Sequence, residues 1–186
     1  PIHLFDCVMP CDGGDGVLVM SEARARGLGL PFVKVLAATE RHNAWREDPI
    51  MTRGGWSVDR DELYAMAGIQ PKDLDLVQFY DDYPVIVMMQ YEGHGLCAEG
   101  EGAEFVRAHT LDCEGTMPTN TSGGQLSMGQ AGAAGGYLGL VETVRQLTDR
   151  PLGKGVPDAN IGLVSGFGMI TYDRCLCTGA LILAKA

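Results

Sequence analysis

A phenol and two carboxylates meet in the run Tyr80-Asp81-Asp82-Tyr83. The run lies where an apolar strand pattern, Leu74 to Phe79, gives way to Pro84 to Glu92, in which Val85, Met88, Met89 and Glu92 recur at helical spacing with Pro84 in the first turn. Functional residues gather at such carboxyl ends of strands in open α/β sheets. A tyrosine there can exchange a proton with a substrate. To act as a base, its pKa of about 10 must be lowered by neighbouring donors, and Asp81 and Asp82 push the opposite way. The plainer reading of Tyr80 is an amphipathic strand-end residue with a satisfied hydroxyl.

A second group is Asn120-Thr121-Ser122-Gly123-Gly124-Gln125-Leu126-Ser127-Met128-Gly129-Gln130. Gly123 and Gly124 suit a close approach of two backbones. From Met128 to Leu147 the pattern predicts a helix, with Gly129, Gly132, Gly136 and Gly139 as a stripe along one face. Four glycines would cost an exposed helix roughly 3–4 kcal/mol relative to alanine, so the helix is expected to be buried against another backbone. Gln130 at its start would add a side-chain amide to free backbone N–H groups, an arrangement that binds an oxyanion. The alternative is a helix-start residue with no chemistry.

The third group is Tyr172-Asp173-Arg174-Cys175-Leu176-Cys177. On a strand, Cys175 and Cys177 alternate with their neighbours along the chain, and the sequence leaves open whether either is reactive or both are structural. No metal site is expected: His94 has no Cys or His at ligand spacing, His42 and His109 read as solvated loop residues, and Asp12 and Asp15 read as a tight turn, not a calcium loop. The six cysteines lack Cys-x-x-Cys spacing, sit among apolar neighbours and are expected to be reduced and mostly buried.

The elements that must position these groups follow from the same patterns. Val17 to Met20 reads as a short buried strand, Ser21 caps a helix ended by Gly27, and Phe32 to Ala37 is a strand. Glu40 to Trp56 reads as a surface excursion whose Trp45 and Trp56 shape a pocket mouth. Ser57 to Ala67 is a capped helix with Leu63, Met66 and Ala67 on its apolar face, and Gly102 to Arg107 is another. His109 to Pro118 is a loop or small hairpin, Ile161 to Ser165 a strand, Gly166 to Gly168 a turn and Gly179 to Ala184 the last strand. With 186 residues, 46% of them hydrophobic, one compact unit is expected. A net charge of −10 without a basic cluster argues against nucleic acid as a partner. No stretch reaches the length of a membrane span and Pro1-Ile2-His3 does not open a signal peptide, so the expected location is cytoplasmic. The opening suggests a fragment, a processed product or one half of a split protein.

Together the three groups resemble the C-terminal half of thiolases of the sterol-carrier-protein-x and lipid-transfer-protein type. Tyr80-Asp81-Asp82-Tyr83, followed by Glu92-Gly93-His94-Gly95-Leu96-Cys97, is similar to the family's His-Asp-x-Phe turn and Glu-x-x-Gly-x-Cys pattern. Asn120 to Gly124 leading to Gly129-Gln130-Ala131-Gly132 resembles Asn-x-x-Gly-Gly before Gly-His-Pro-x-Gly, and Tyr172 to Ala180 resembles the last loop, which carries a Cys or His before a glycine-rich strand. The likeness covers nearly the whole chain.

The resemblance implies a layered α/β fold, the C-terminal half of a thiolase, with a mixed sheet of five strands and a buried glycine-rich helix. It divides the chain into residues 1–56, the end of the N-terminal half with a connecting excursion, and residues 57–186, the C-terminal domain. It implies acyl-CoA chemistry with Tyr80, Gln130 and Tyr172 as catalytic residues, Gly123, Gly124 and Gly129 around the substrate, a CoA thioester as substrate and no cofactor. Thiolases draw a cysteine nucleophile from the N-terminal half and activate it with the Gly-His-Pro histidine. Gln130 stands at that position and cannot take a proton from a thiol. Steroid side-chain aldolases, which cleave a β-hydroxyacyl-CoA with a zinc-ribbon/OB-fold partner, carry tyrosines at both histidine positions; Tyr80 matches the first. The readings are thus acyl transfer (an acetyltransferase activity), aldol cleavage, or a non-catalytic acyl-CoA-binding subunit. The expected partner is an N-terminal half or companion chain in a homo- or hetero-oligomer.

Overall fold

The computed structural model describes residues 2–48, 50–132, 135–169 and 176–186. Among them the elements run α1 (Glu22–Leu28), β1 (Val33–His42), α2 (Trp56–Ala67), β2 (Leu76–Phe79), α3 (Pro84–Gly93), α4 (Gly102–Ala108), α5 (Gly124–Met128), α6 (Tyr137–Leu147), β3 (Ile161–Met169) and β4 (Leu176–Lys185). The four strands form one mixed sheet in the order β1-β4-β3-β2, antiparallel except for the parallel β2–β3 pair. No helix among the described residues is long and apolar enough to cross a membrane.

Period-2 alternation divides the strands between two apolar layers. Val77, Phe79, Leu163, Ala180, Ile182 and Ala37 pack with Leu63 and Tyr64 of α2, Tyr91 of α3 and Phe105 of α4. Leu76, Val164 and Leu183 point the other way, onto Leu147 of α6. Burying each of the larger side chains contributes about 1.5–3 kcal/mol. Asp59 of α2 is joined to Arg41 of β1 by an ion pair that fastens the helix to the edge strand. The Ser21 cap is formed, its hydroxyl accepting from Arg24 N at 3.3 Å, but the helix runs one turn position beyond Gly27 and ends at Gly29, whose φ of 64° suits only glycine without strain.

Several expectations are corrected. The sheet has four strands where five were expected, the missing one being Val17 to Met20, and beyond β2 there is only a single parallel bridge between Val77 and Thr119 among the described residues. Pro118 lends its carbonyl to Val77 N but has no N–H, and Asn120 turns to a φ of 48°, so the segment cannot extend along β2. Residues 17–20 form no strand, and Leu18 and Val19 are 86% and 90% exposed. Gly166 to Gly168 is not a turn: β3 continues through it, with Gly166 opposite Gly179 and Gly168 opposite Cys177. Trp56 opens α2 and is buried, donating from Nε1 to Gly166 O at 3.2 Å, whereas Trp45 lies under Arg53 at the surface. Met66 is exposed, and Tyr64 takes its place on the buried face of α2.

The predicted helix from Met128 to Leu147 is also broken. Helix α5 ends at Met128, Gly129 and Gly132 have φ of 92° and 55°, and α6 begins only at Tyr137. Of the four striped glycines, only Gly139 lies within a helix, where an added Cβ would come within 3.0 Å of Gln78 Cβ. The close approach expected of the stripe is real at that one position.

Candidate functional site

Tyr80 follows the last residue of β2, and its backbone is clamped on three sides. Its N–H donates to Ser165 O at 3.1 Å and to Gln90 Oε1 at 3.2 Å, while Gln90 Nε2 donates to Tyr80 O at 2.7 Å. Gln90 is fully buried on α3, so it fixes where the strand ends and the turn begins. The sequence carried a signal for it, a lone amide in the apolar run of α3. The Tyr80 ring lies 6.0 Å from that of Phe167.

Gln130 reaches the same place from the other side. Its backbone is pinned to the early segment, with Gln130 N donating to Met9 O at 2.8 Å and Cys11 N donating to Gln130 O at 3.0 Å. Its side-chain Nε2 donates to Tyr80 Oη at 2.5 Å. Two residues fifty positions apart therefore form one polar unit, although Gln130 sits in an isolated parallel bridge to Pro10 and not at a helix start. Gly129 allows this approach: a Cβ there would lie 2.7 Å from Cys11 Sγ.

Asp81 and Asn120 build the frame. Asn120 grips Phe79 through both backbone groups, accepting from Phe79 N at 2.7 Å and donating to Phe79 O at 3.0 Å. Asp81 is buried and accepts from Gln125 N at 2.8 Å and Leu126 N at 3.4 Å, at the start of α5. Gly124, at φ of 62°, lies against that carboxylate; a Cβ there would be 1.9 Å from Asp81 Oδ2. Gly123, at φ of 91°, is exposed and turns the chain into α5. These two glycines shape the frame around Asp81, and the remaining predicted residue, Tyr172, lies outside the described residues, as do Asp173 and Cys175.

Burial and the charges of Asp82 and Asp81 raise the Tyr80 pKa, against the lowering effect of the Gln130 hydrogen bond. The opposition of Asp81 and Asp82 expected from the sequence is present, the lowering that a base would need is not, and at neutral pH Tyr80 is a phenol. Since Gln130 donates to its oxygen, the phenolic hydrogen is available to an incoming acceptor. Asp81 and Asp82 are themselves raised, chiefly by burial.

His109 differs from its predicted setting as a solvated loop residue. His109 stacks on Phe105 at 4.0 Å and shares a hydrogen bond of 2.9 Å with Phe105 O. His94 is fully buried, stacked on Phe79 and joined through Nε2 to Ser165 Oγ at 2.9 Å. Burial pushes its pKa down to about 3. An unfolded histidine titrates near 6.5, so the folded form resists a proton that the unfolded chain accepts. Stability is expected to be full above about pH 6.5 and to fall by up to about 1.4 kcal/mol per pH unit below it, toward pH 3. Urea unfolding from pH 7 to 4 checks this; His94→Gln should flatten the dependence, and an unchanged slope in that variant counts against His94.

Of the described cysteines only Cys113 is buried, all five are free, and Cys11 is exposed, so the expectation of mostly buried thiols fails while the absence of disulfides among them holds.

The fold is that of the thiolase C-terminal half. Residues 37–178 match the family described as thiolase C-terminal domain-like, and the chain belongs to that family. Among its relatives are a steroid side-chain-cleaving aldolase of Thermomonospora curvata, 31% identical over 95% of this chain and 46% of the relative, and the 17-hydroxy-3-oxo-4-pregnene-20-carboxyl-CoA lyase of Mycobacterium tuberculosis, 29% identical over 95% and 47%. The benzoylsuccinyl-CoA thiolase subunit BbsB of Thauera aromatica is 28% identical over 95% of this chain and 49% of its own length. The solved Ltp2-ChsH2(DUF35) aldolase superposes with a TM-score of 0.80 at 26% identity, over 100% of this chain and 48% of that one. The chain spans about half the length of these relatives.

Proposed function

We propose that this chain is the C-terminal half of a thiolase-like enzyme that splits a β-hydroxyacyl-CoA by retro-aldol cleavage. The observation that supports this reading is the Tyr80–Gln130 hydrogen bond, with a neutral amide standing where thiolysis needs an imidazole. In the cleavage the β-hydroxyl gives up its proton, the Cα–Cβ bond breaks, a carbonyl forms at Cβ and the electron pair moves into the thioester enolate. That enolate then takes a proton at Cα. A phenol held by Gln130 and free to donate stabilises the developing oxyanion, while the proton acceptor lies outside this pair. The step uses no oxidant or reductant, and the CoA thioester arrives with the substrate.

The companion that completes the site is an N-terminal thiolase-like half. Leu18 and Val19 are left exposed beside a groove of ≈ 620 Å³ lined by Val17 to Met20, Val35, Leu140, Val144, Leu181 and Leu183, on the α6 side of the sheet. Contiguous apolar surface of this kind marks a packing partner. An OB-fold companion, as in the steroid aldolases, is a second candidate for the assembly.

The test offers the assembled protein a β-hydroxyacyl-CoA, and separately a β-ketoacyl-CoA with free CoA. Release of a carbonyl fragment and a shortened acyl-CoA from the first, without thiolysis of the second, is the expected result. Thiolysis alone would establish acyl transfer instead, and inertness toward both would leave a binding subunit.

A further inference from the structure

We propose that Glu40, His42 and Cys177 form a binding site for a divalent ion of the zinc class. The three residues come from the paired strands β1 and β4, in which His42 stands directly opposite Cys177 and Glu40 opposite Gly179. Glu40 and His42, two apart on one strand, project to the same face as Cys177. Their donor atoms converge: Cys177 Sγ lies 3.8 Å from Glu40 Oε1 and 3.7 Å from His42 Nε2, and His42 Nε2 lies 2.6 Å from Glu40 Oε1. A tetrahedral zinc with bonds of about 2.3 Å to sulfur and about 2.0–2.2 Å to nitrogen and oxygen holds its ligand atoms roughly 3.3–3.6 Å apart. The two sulfur distances are already close to that, and the His42–Glu40 pair, now sharing a hydrogen bond, needs to part by less than an ångström.

The donor set fits as well as the spacing. Thiolate, imidazole and carboxylate together suit zinc and its borderline neighbours, not calcium or magnesium, which select oxygen. Three protein ligands leave a fourth position open, the pattern of sites that bind an exogenous ligand. Glu40 and Cys177 line a cavity of ≈ 530 Å³ whose wall includes Phe167, the residue that also packs against Tyr80. An ion held here would present its open position to that cavity. The site is independent of the retro-aldol step, which requires no metal.

The experiment strips the assembled protein with a chelator and titrates it with Co²⁺, a spectroscopic substitute for zinc. One ion per chain and a thiolate-to-cobalt charge-transfer band are expected. Cys177→Ser should abolish the band, His42→Ala should weaken binding by more than the roughly 10–100-fold that loss of an outer partner costs, and Cys97→Ser, partly buried against the core layer and outside the cluster, should leave both unchanged. Far-ultraviolet circular dichroism verifies that the variants are folded. Absence of the band in the unaltered protein, or its survival in folded Cys177→Ser, overturns the proposal. Should Cys177→Ser fail to fold, Glu40→Gln decides, because an unchanged affinity in that variant excludes the site.

Discussion

Tyr80→Phe should lower turnover of the β-hydroxyacyl-CoA by about 10²–10³-fold, the usual effect of removing one donor from an oxyanion site. The substitution deletes only the hydroxyl that meets Gln130 and keeps the ring against Phe167. The backbone clamp by Gln90 and Ser165 involves no part of the side chain, so the unfolding midpoint should stay in place. Steady-state kinetics with a parallel urea titration separates the two effects. A folded variant with undiminished kcat removes Tyr80 from the chemistry. On the proposed reading the phenol donates in its protonated form, and because its pKa is raised the donor should persist through the alkaline range in which an ordinary tyrosine begins to ionise.

Gly124→Ala is the second large effect expected, and it acts on stability. A Cβ at Gly124 would lie 1.9 Å from Asp81 Oδ2, and the backbone there has φ of 62°. The left-handed conformation alone costs an alanine about 1–2 kcal/mol. Displacing the Asp81 carboxylate strands the N–H groups of Gln125 and Leu126, adding about 1–3 kcal/mol. The sum, about 2–5 kcal/mol, is a large part of the roughly 5–15 kcal/mol that holds a domain together. Gly136→Ala is the matched control: its φ is −64° and an added Cβ meets nothing within 4 Å. Urea midpoints should fall sharply for the first and stay within about 0.5 kcal/mol of the parent for the second. Equal shifts would refute the steric account.

Those two glycines also show how far the sequence could be read. Both belong to one glycine-rich segment, and periodicity placed Gly136 with Gly129, Gly132 and Gly139 on a single helix face. Period alone cannot distinguish a helix from a succession of left-handed turns, because glycine tolerates both. What broke the helix was the pairing of residues 129–130 with Met9 and Cys11, a tertiary contact that no local pattern records. Strand β2 and helix α3 were legible because their signals were redundant, an apolar run ended by a polar turn and then a proline at a first-turn position. Val17 to Met20 misled in an instructive way. An apolar run reports that something should cover it, not that this chain does.

The site was legible in part. Tyr80 and Gln130 were singled out from their motifs, yet their mutual contact depended on the fold, and Gln90, which fixes Tyr80, went unremarked. The Glu40, His42 and Cys177 cluster was invisible because spacing rules for ligands work within one turn or hairpin, whereas these residues are 135 and 137 positions apart. Strand pairing alone brings them together.

The strand order carries a consequence for how the molecule is made. Strand β4 lies between β1 and β3, yet it is the latest of the four in sequence. While a ribosome is still extending the chain toward it, β1 lacks the one neighbour it has among the described strands, and its backbone groups wait for that pairing. Helices and the β2–β3 parallel pair can be assembled earlier, but the sheet closes only when β4 is inserted between two strands already present. Long-range pairing of this sort slows folding and lengthens the exposure of an unpaired edge. Nascent chains halted before residue 176 should therefore hold β1 as a sticky ribbon, a natural point of capture for chaperones.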